Sequence, residues 1–241
     1  MTVALSVVVP LKDEAENVAP LAREIVAAVG RDNVELLFID DGSSDDTLAR
    51  LLDMKVEFPS LRIIRHSRNA GQSRALRTGV RAARAGIVVT LDGDGQNDPA
   101  DIAKVLAPFH AAGDAARIGM VSGIRVRRRD SIVKRLASRL ANRFRRWMLN
   151  DSATDIGCGL KAFRRDVYLA LPYFDHMHRY LAALVQREGY DVRFVAVGHR
   201  RRMHGKSKYG VWDRLVVGLH DIFGVLWLKK RFRAAVEVTE C

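Results

Sequence analysis

The sequence predicts an α/β protein whose central sheet is mostly parallel and flanked by helices. Three observations predict it: short β-branched apolar runs recur through the first hundred residues, each is followed by a helical pattern, and acidic, glycine-bearing turns mark the strand exits. Val3–Val9 is a continuous apolar run ended by Pro10, as expected of a strand buried on both faces. Asn17–Val29 carries Val18, Leu21, Ile25, Val26 and Val29 at helical spacing, and Gly30 can stop it. Val34–Ile39 is the second strand. Ser44–Met54 is a helix with Ser43 or Ser44 as N-cap, its Asp45 and Asp46 suited to the positive end of the helix dipole. Leu61–Ile64, a helix over Gly71–Ala85 and the strand Ile87–Leu91 follow, and Pro99 opens the next helix. In such a sheet ligands bind beyond the carboxyl ends of the strands. Pro10–Glu14, Asp40–Ser43, His66–Asn69 and Asp92–Gln96 are therefore expected on one rim.

Past residue 100 the pattern changes. Arg117–Gly123 reads as a strand. Arg125–Arg146 reads as an amphipathic basic helix, with ten Lys and Arg, one acid (Asp130), and Ile132, Leu136, Leu140, Phe144 and Trp147 at helical spacing. A small-residue loop (Ser152–Gly159), a strand near Leu160–Phe163, a helix near Tyr180–Arg187, a strand at Val192–Val197 and a polar loop (Gly198–Gly210) lead to an amphipathic helix over Val211–Lys230.

Charge is split along the chain. The net charge is +12, made of −3 over residues 1–100 and +15 over residues 101–241. A basic second half implies an anionic partner: nucleic acid, a phosphorylated substrate or an acidic lipid surface. With 241 residues and 48% apolar composition, one substantial core is expected. Two cysteines, Cys158 and Cys241, make neither a disulfide framework nor a zinc site, as in a reduced, cytosolic protein. The N-terminus reads as a first strand and not as a secretion signal. The longest candidate span, Leu215–Leu228, is 14 residues and is interrupted by His220 and Asp221, so no transmembrane helix is expected.

Asp92-Gly93-Asp94-Gly95-Gln96 is the sharpest chemical feature. Carboxylates at i and i+2 leave a strand toward the same side, and the intervening glycine lets the backbone approach a ligand. Two carboxylates and an amide oxygen suit Mg2+ or Mn2+, which share coordination with substrate phosphates. Hence Asp92, Asp94 and Gln96 form the expected metal set. In Asp40-Asp41-Gly42-Ser43, Asp41 is the preferred carboxylate for donor groups of a nucleotide base. Glu14, at the first strand's exit, is in reach of a base or ribose.

In this order the loops resemble family 2 glycosyltransferases of the GT-A nucleotide-diphospho-sugar fold. The segments that match are VVVPLKDEAEN, FIDDGSSDDT, RNAGQSRAL and LDGDGQNDP. Farther on, SGIRVRRRD, KRLASRLAN, DIGCGLKAFRRDV and RRRMHGKSKYG are similar to the subgroup that includes dolichol-phosphate mannose synthase and bacterial polyprenyl-phosphate glycosyltransferases. Two positions depart: Lys12 stands where an aromatic is common, and Lys134 where the subgroup has Arg, so that a point charge replaces a bidentate fork.

The resemblance implies an inverting, metal-dependent transfer from a GDP- or UDP-sugar to a polyprenyl phosphate. Pro10, Leu11, Glu14, Asp41, Asn69, Asp92 and Asp94 would bind the nucleotide sugar. Arg125, Lys134, Ser138, Arg202 and Lys208 would meet the acceptor phosphate or donor diphosphate, with Lys206 closing over them. Asp155 and Asp94 would be catalytic, Asp155 as a base or an orienting group. Residues 1–210 would form the catalytic domain, with 1–100 as its nucleotide half and 101–210 as its acceptor half. Residues 211–241 would supply a basic amphipathic helix attached to the cytoplasmic face of an anionic membrane. A homo-oligomer is compatible with these faces. A soluble family 2 enzyme acting on a saccharide or protein hydroxyl is the alternative. A basic nucleic-acid module is the rival of another class, and it leaves the acidic rim without a purpose, so no nucleic acid is expected.

Overall fold

The computed structural model describes residues 3–111, 113–126, 143, 145–151, 153, 155–202, 211–233 and 239, and of 211–217 and 219 the backbone alone. Strand β1 (Leu5–Leu11) lies inside the sheet, between β2 (Val34–Asp40) and β4 (Ile87–Thr90), and β3 (Arg62–Arg65) forms one edge. On the other side follow β6 (Lys161–Arg164), β5 (Ile118–Arg125) and β7 (Asp191–Val197), giving the order β3-β2-β1-β4-β6-β5-β7. All these strands run parallel except β6, which is antiparallel to both β4 and β5.

Alternation along the strands feeds two cores. Val7, Val9, Leu36 and Phe38 face α1 (Ala15–Val29), α2 (Thr47–Glu57) and α4 (Ile102–His110). Val8, Leu37, Ile39 and Val88 face α3 (Gln72–Ala82), α5 (Arg165–Ala170), α6 (Leu181–Arg187) and α7 (Val211–Arg231). Burial on both faces explains why these strands read as unbroken apolar runs.

Several sequence expectations are corrected. β1 does not end at Pro10 but runs through it to Leu11. Val8 and Pro10 share one side of the strand, and pairing with β4 stops at Val8↔Thr90, so no ladder bond is asked of the missing Pro10 N–H. Helix α2 starts at Thr47, three residues late. The serines expected to cap it are tied to the β1 exit instead: Ser43 Oγ accepts from Asp13 N–H (2.9 Å) and Ser44 N–H donates to Asp13 (2.8 Å). Asp45 then accepts from Thr47 N–H at 3.0 Å.

Arg125 belongs to β5 and not to the basic helix, because parallel pairing with β7 carries the strand to Arg125↔Val197. Most of that helix (127–142) lies outside the described residues; 145–149 are helical, with Leu149 buried and Trp147 75% exposed. α5 was not expected, since six residues are too few to show a helical period.

Candidate active site

The four strand exits meet as the topology requires. They enclose a cleft of about 420 Å³ lined by Pro10, Leu11, Lys12 and Glu14 from β1, Asp41 from β2, Asn69, Gly71, Gln72 and Ala75 at the start of α3, Asp92, Gly93 and Asp94 after β4, and Arg202 beyond β7.

Each wall has a local cause. Asp41 is buried and holds the α3 entry by accepting from Ala70 N–H (2.9 Å) and Gly71 N–H (2.8 Å). His66 Nδ1 lies 2.7 Å from the same carboxylate, and its Nε2 lies 2.9 Å from Thr78 Oγ1. Gly71 adopts φ +88°, which a side chain would strain, so the chain turns into α3 there. Asp41 thus shapes the cleft floor as well as lining it. Lys12 donates to Gly42 O (2.9 Å) and Asp13 (3.0 Å), fastening the first two exits together.

Asp92 and Asp94 stand side by side on the β4 exit. Burial, and then repulsion from Asp94, push the Asp92 carboxyl up to about 6, against the opposing pull of Lys161, Arg125 and a hydrogen bond from Gln72. Asp94 is buried, and its Oδ2 accepts from Arg202 at 2.6 Å. Burial pulls the Arg202 guanidinium down, but Asp94, Glu14 and Asp92 together hold it above its ordinary value. Two carboxylates that repel each other in the wall of a cleft fit a divalent cation, which takes one or two protein carboxylates and completes its shell with phosphates and water. Among the described residues no group of three or more His, Cys, Asp or Glu side chains gathers as a metal cage.

Since the folded-state carboxyl titrates above its usual range, the folded protein keeps a proton that the unfolded chain releases. Stability contributed here is therefore present at low pH and lost as pH rises through about 6. Asp92→Asn is expected to raise the melting temperature of metal-free protein at pH 8 and to leave it nearly unchanged at pH 4, as calorimetry at the two pH values would record.

Other expected site residues lie elsewhere. Gln96 does not line the cleft: its N–H donates to Asp94 (3.1 Å), and its side-chain amide is directed at Arg200 O (3.4 Å). Buried Asp155 and half-buried Arg125 form a bidentate pair, with Nε and Nη2 each 2.7 Å from a carboxylate oxygen. Gly157 N–H donates to the same Asp155 at 3.2 Å. This pair and Asp92 border one short loop, with Gly157 close against the Arg125 guanidinium and Gly159 close against the Asp92 carboxylate. Lys134, Ser138, Lys206 and Lys208 lie outside the described residues.

Sequence reasoning did not single out Gln72, Lys161 or His178. Gln72 sits inside the RNAGQSRAL segment at a helix start, a signal that was available. Lys161 is buried behind Asp92, bonded to Cys158 O. Burial, and then Lys161, keep the His178 imidazole well below its ordinary value. Only the fold brings these two to the site.

The sheet is a mixed α/β sheet with acidic residues on its carboxyl rim, and comparison with known proteins gives the family. Residues 6–171 match the model of glycosyl transferase family 2, and the chain belongs to that family. Among its curated relatives is dodecaprenyl-phosphate galacturonate synthase of Rhizobium johnstonii, 33% identical over 94% of this chain and 67% of the relative. Another is undecaprenyl-phosphate 4-deoxy-4-formamido-L-arabinose transferase of Enterobacter sp., 32% identical over 90% of this chain and 66% of the relative. The chain thus spans about two thirds of the length of these relatives. The fold is shared with a mannosyltransferase from Pyrobaculum calidifontis solved with GDP-Man and Mn2+ (TM-score 0.70, 21% identity, 96% of this chain and 65% of that one). It is also shared with glucosyl-3-phosphoglycerate synthase from Mycobacterium tuberculosis solved with Mn2+, UDP-glucose and phosphoglyceric acid (TM-score 0.67, 20% identity, 96% and 81%). The GT-A expectation is met.

Proposed function

We propose that this chain transfers a sugar from a nucleoside-diphosphate sugar to a polyprenyl phosphate, with inversion at the anomeric carbon and with Mg2+ or Mn2+ on the donor. The observation that carries the reading is the Asp92–Asp94 pair lining a cleft fed by four strand exits. The names of the relatives supply the acceptor class.

Pro10, Leu11, Glu14, Asp41 and Asn69 hold the nucleoside end of the donor, and Asp92 and Asp94 hold the metal, to which Gln96 adds support through its N–H bond to Asp94. When bound, the cation neutralises charge on the departing diphosphate, a Lewis-acid effect of roughly several kcal/mol. Arg202, already fixed by Asp94, offers its remaining guanidinium donors to a phosphate. Arg125, Lys134, Ser138 and Lys208 are the proposed contacts of the acceptor phosphate.

The second ionisation of a phosphate monoester lies near pH ~6, so the nucleophile is largely dianionic at neutral pH and needs no strong base. Asp155, gripped by both arms of Arg125, accordingly serves to orient and not to take a proton.

The test is incubation of purified protein and Mn2+ with radiolabelled sugar nucleotides and a polyprenyl phosphate. Label is expected in the organic phase and is expected to vanish with chelator. Label transferred only to water-soluble saccharide would favour the soluble alternative, and salt-dependent DNA binding without transfer would favour the nucleic-acid rival.

The site of action proposed is the cytoplasmic surface of an anionic membrane. Helix α7 divides its apolar residues: Ile222 and Val225 are buried in the core, whereas Phe223 and Trp227 are each 60% exposed beside Lys229, Lys230 and Arg231. No helix among the described residues is long and apolar enough to cross a membrane. Vesicles rich in anionic lipid are expected to float the protein at low salt and release it at high salt; no flotation at low salt would refute the surface assignment.

A further inference from the structure

Gln72 is the first residue of α3, and its backbone is held from both sides. Before it, the Gly71 N–H is bound by Asp41 at 2.8 Å and by Asn69 Oδ1 at 2.9 Å. After it, Ser73 is buried, with its Oγ 2.8 Å from His178 Nδ1 and accepting the His178 N–H at 3.3 Å. Between these fixed points Gln72 is exposed to the cleft, and its Nε2 donates to Asp92 Oδ1 at 2.8 Å. A carboxylate only accepts, so this contact sets the amide orientation: nitrogen toward Asp92, carbonyl oxygen away from it.

Asp92 has little other freedom. Its N–H is taken by Asn97 Oδ1 at 3.0 Å, and Gly159 lies so close that a methyl group there would overlap the carboxylate. The carboxylate is thereby sandwiched between the Gln72 amide and the Gly159 backbone. Gln72 also lines both the main cleft and a hollow of about 20 Å³ behind Asp92. An amide with its donor end committed to a metal carboxylate presents its acceptor end to whatever hydroxyl-bearing group enters the cleft.

We propose that Gln72 bridges metal and sugar: it positions Asp92 for the cation and, through Oε1, accepts a hydroxyl of the donor sugar. This rests on the metal and nucleotide-sugar reading above. It adds a residue that discriminates donors by the hydroxyl they present, since an acceptor that the bound sugar covers and leaves unpaired disfavours the wrong sugar.

The experiment is isothermal titration of Mn2+ with UDP and UDP-glucose, or GDP and GDP-mannose, whichever pair the unaltered protein binds. Gln72→Met keeps the length and removes both hydrogen bonds; Gln72→Asn keeps the amide but falls a methylene short. Losing a hydrogen bond to a charged group predicts that the Mn2+ concentration for half-saturation rises by about 10-fold in both variants. The preference for sugar nucleotide over bare nucleotide is expected to fall by about 5-fold, with the melting temperature unchanged. A shift in only one of the two quantities, or in neither, overturns the bridge. An unaltered protein that binds no nucleotide with Mn2+ would bring down the reading of the cleft, and this bridge with it.

Discussion

Asp94→Asn is expected to lower turnover by between about 10² and 10³-fold, the range for loss of one preorganised electrostatic group at a site of developing charge. The effect has two sources. One carboxylate of the pair that would hold the cation is lost. In addition, Arg202, bonded to Asp94 at 2.6 Å, loses the charge that fixes its guanidinium at the cleft. Because both act where the diphosphate leaves, kcat should fall more than the affinity for donor. Steady-state kinetics at saturating Mn2+ would separate these. A variant with unchanged kcat and weakened donor binding would show that Asp94 serves binding alone.

The second large effect concerns Asp155. Its carboxylate meets Arg125 through two bonds of 2.7 Å, and the two side chains are 7% and 14% exposed. Asp155→Asn leaves a largely buried guanidinium without its counter-charge, and breaking such a pair from one side costs about 3–5 kcal/mol. For a chain of this size each kcal/mol lowers the melting temperature by about 2–4 °C, so a fall on the order of 10 °C is expected by calorimetry. Arg125→Met should destabilise similarly, and the double variant by less than the sum of the two. Whatever activity survives in Asp155→Asn is expected to keep the pH profile of the unaltered protein, as an orienting group requires. If the acid limb of the profile disappears, Asp155 is the base.

The nucleotide half was legible because its elements are local. Apolar runs such as Val34–Ile39 declare buried strands, and the rule that parallel sheets bind ligands at strand exits gathers Leu11, Asp41, Asn69, Asp92 and Asp94 around one cleft. What stayed hidden depends on contacts across the chain. The capping of α2 was misplaced because Asp13, some thirty residues earlier, engages both serines: its N–H donates to Ser43 Oγ, and its carboxylate accepts from Ser44. Arg125 was assigned to a helix by its basic neighbours, although its partner Asp155 is thirty residues away and its strand partner Val197 farther still. Gln96 followed the carboxylates in sequence, yet its amide is directed at Arg200. Lys161 and His178 lie behind Asp92 only because β6 inserts antiparallel beside β4. No spacing in the sequence announces such an insertion.

The most direct test of the account is a crystal structure grown with Mn2+ and the nucleoside diphosphate that the protein binds. The ion is predicted against Asp94, bridging the carboxylate and the diphosphate, with a guanidinium donor of Arg202 on a phosphate oxygen. A diphosphate seated elsewhere, with no cation at Asp94, would contradict it.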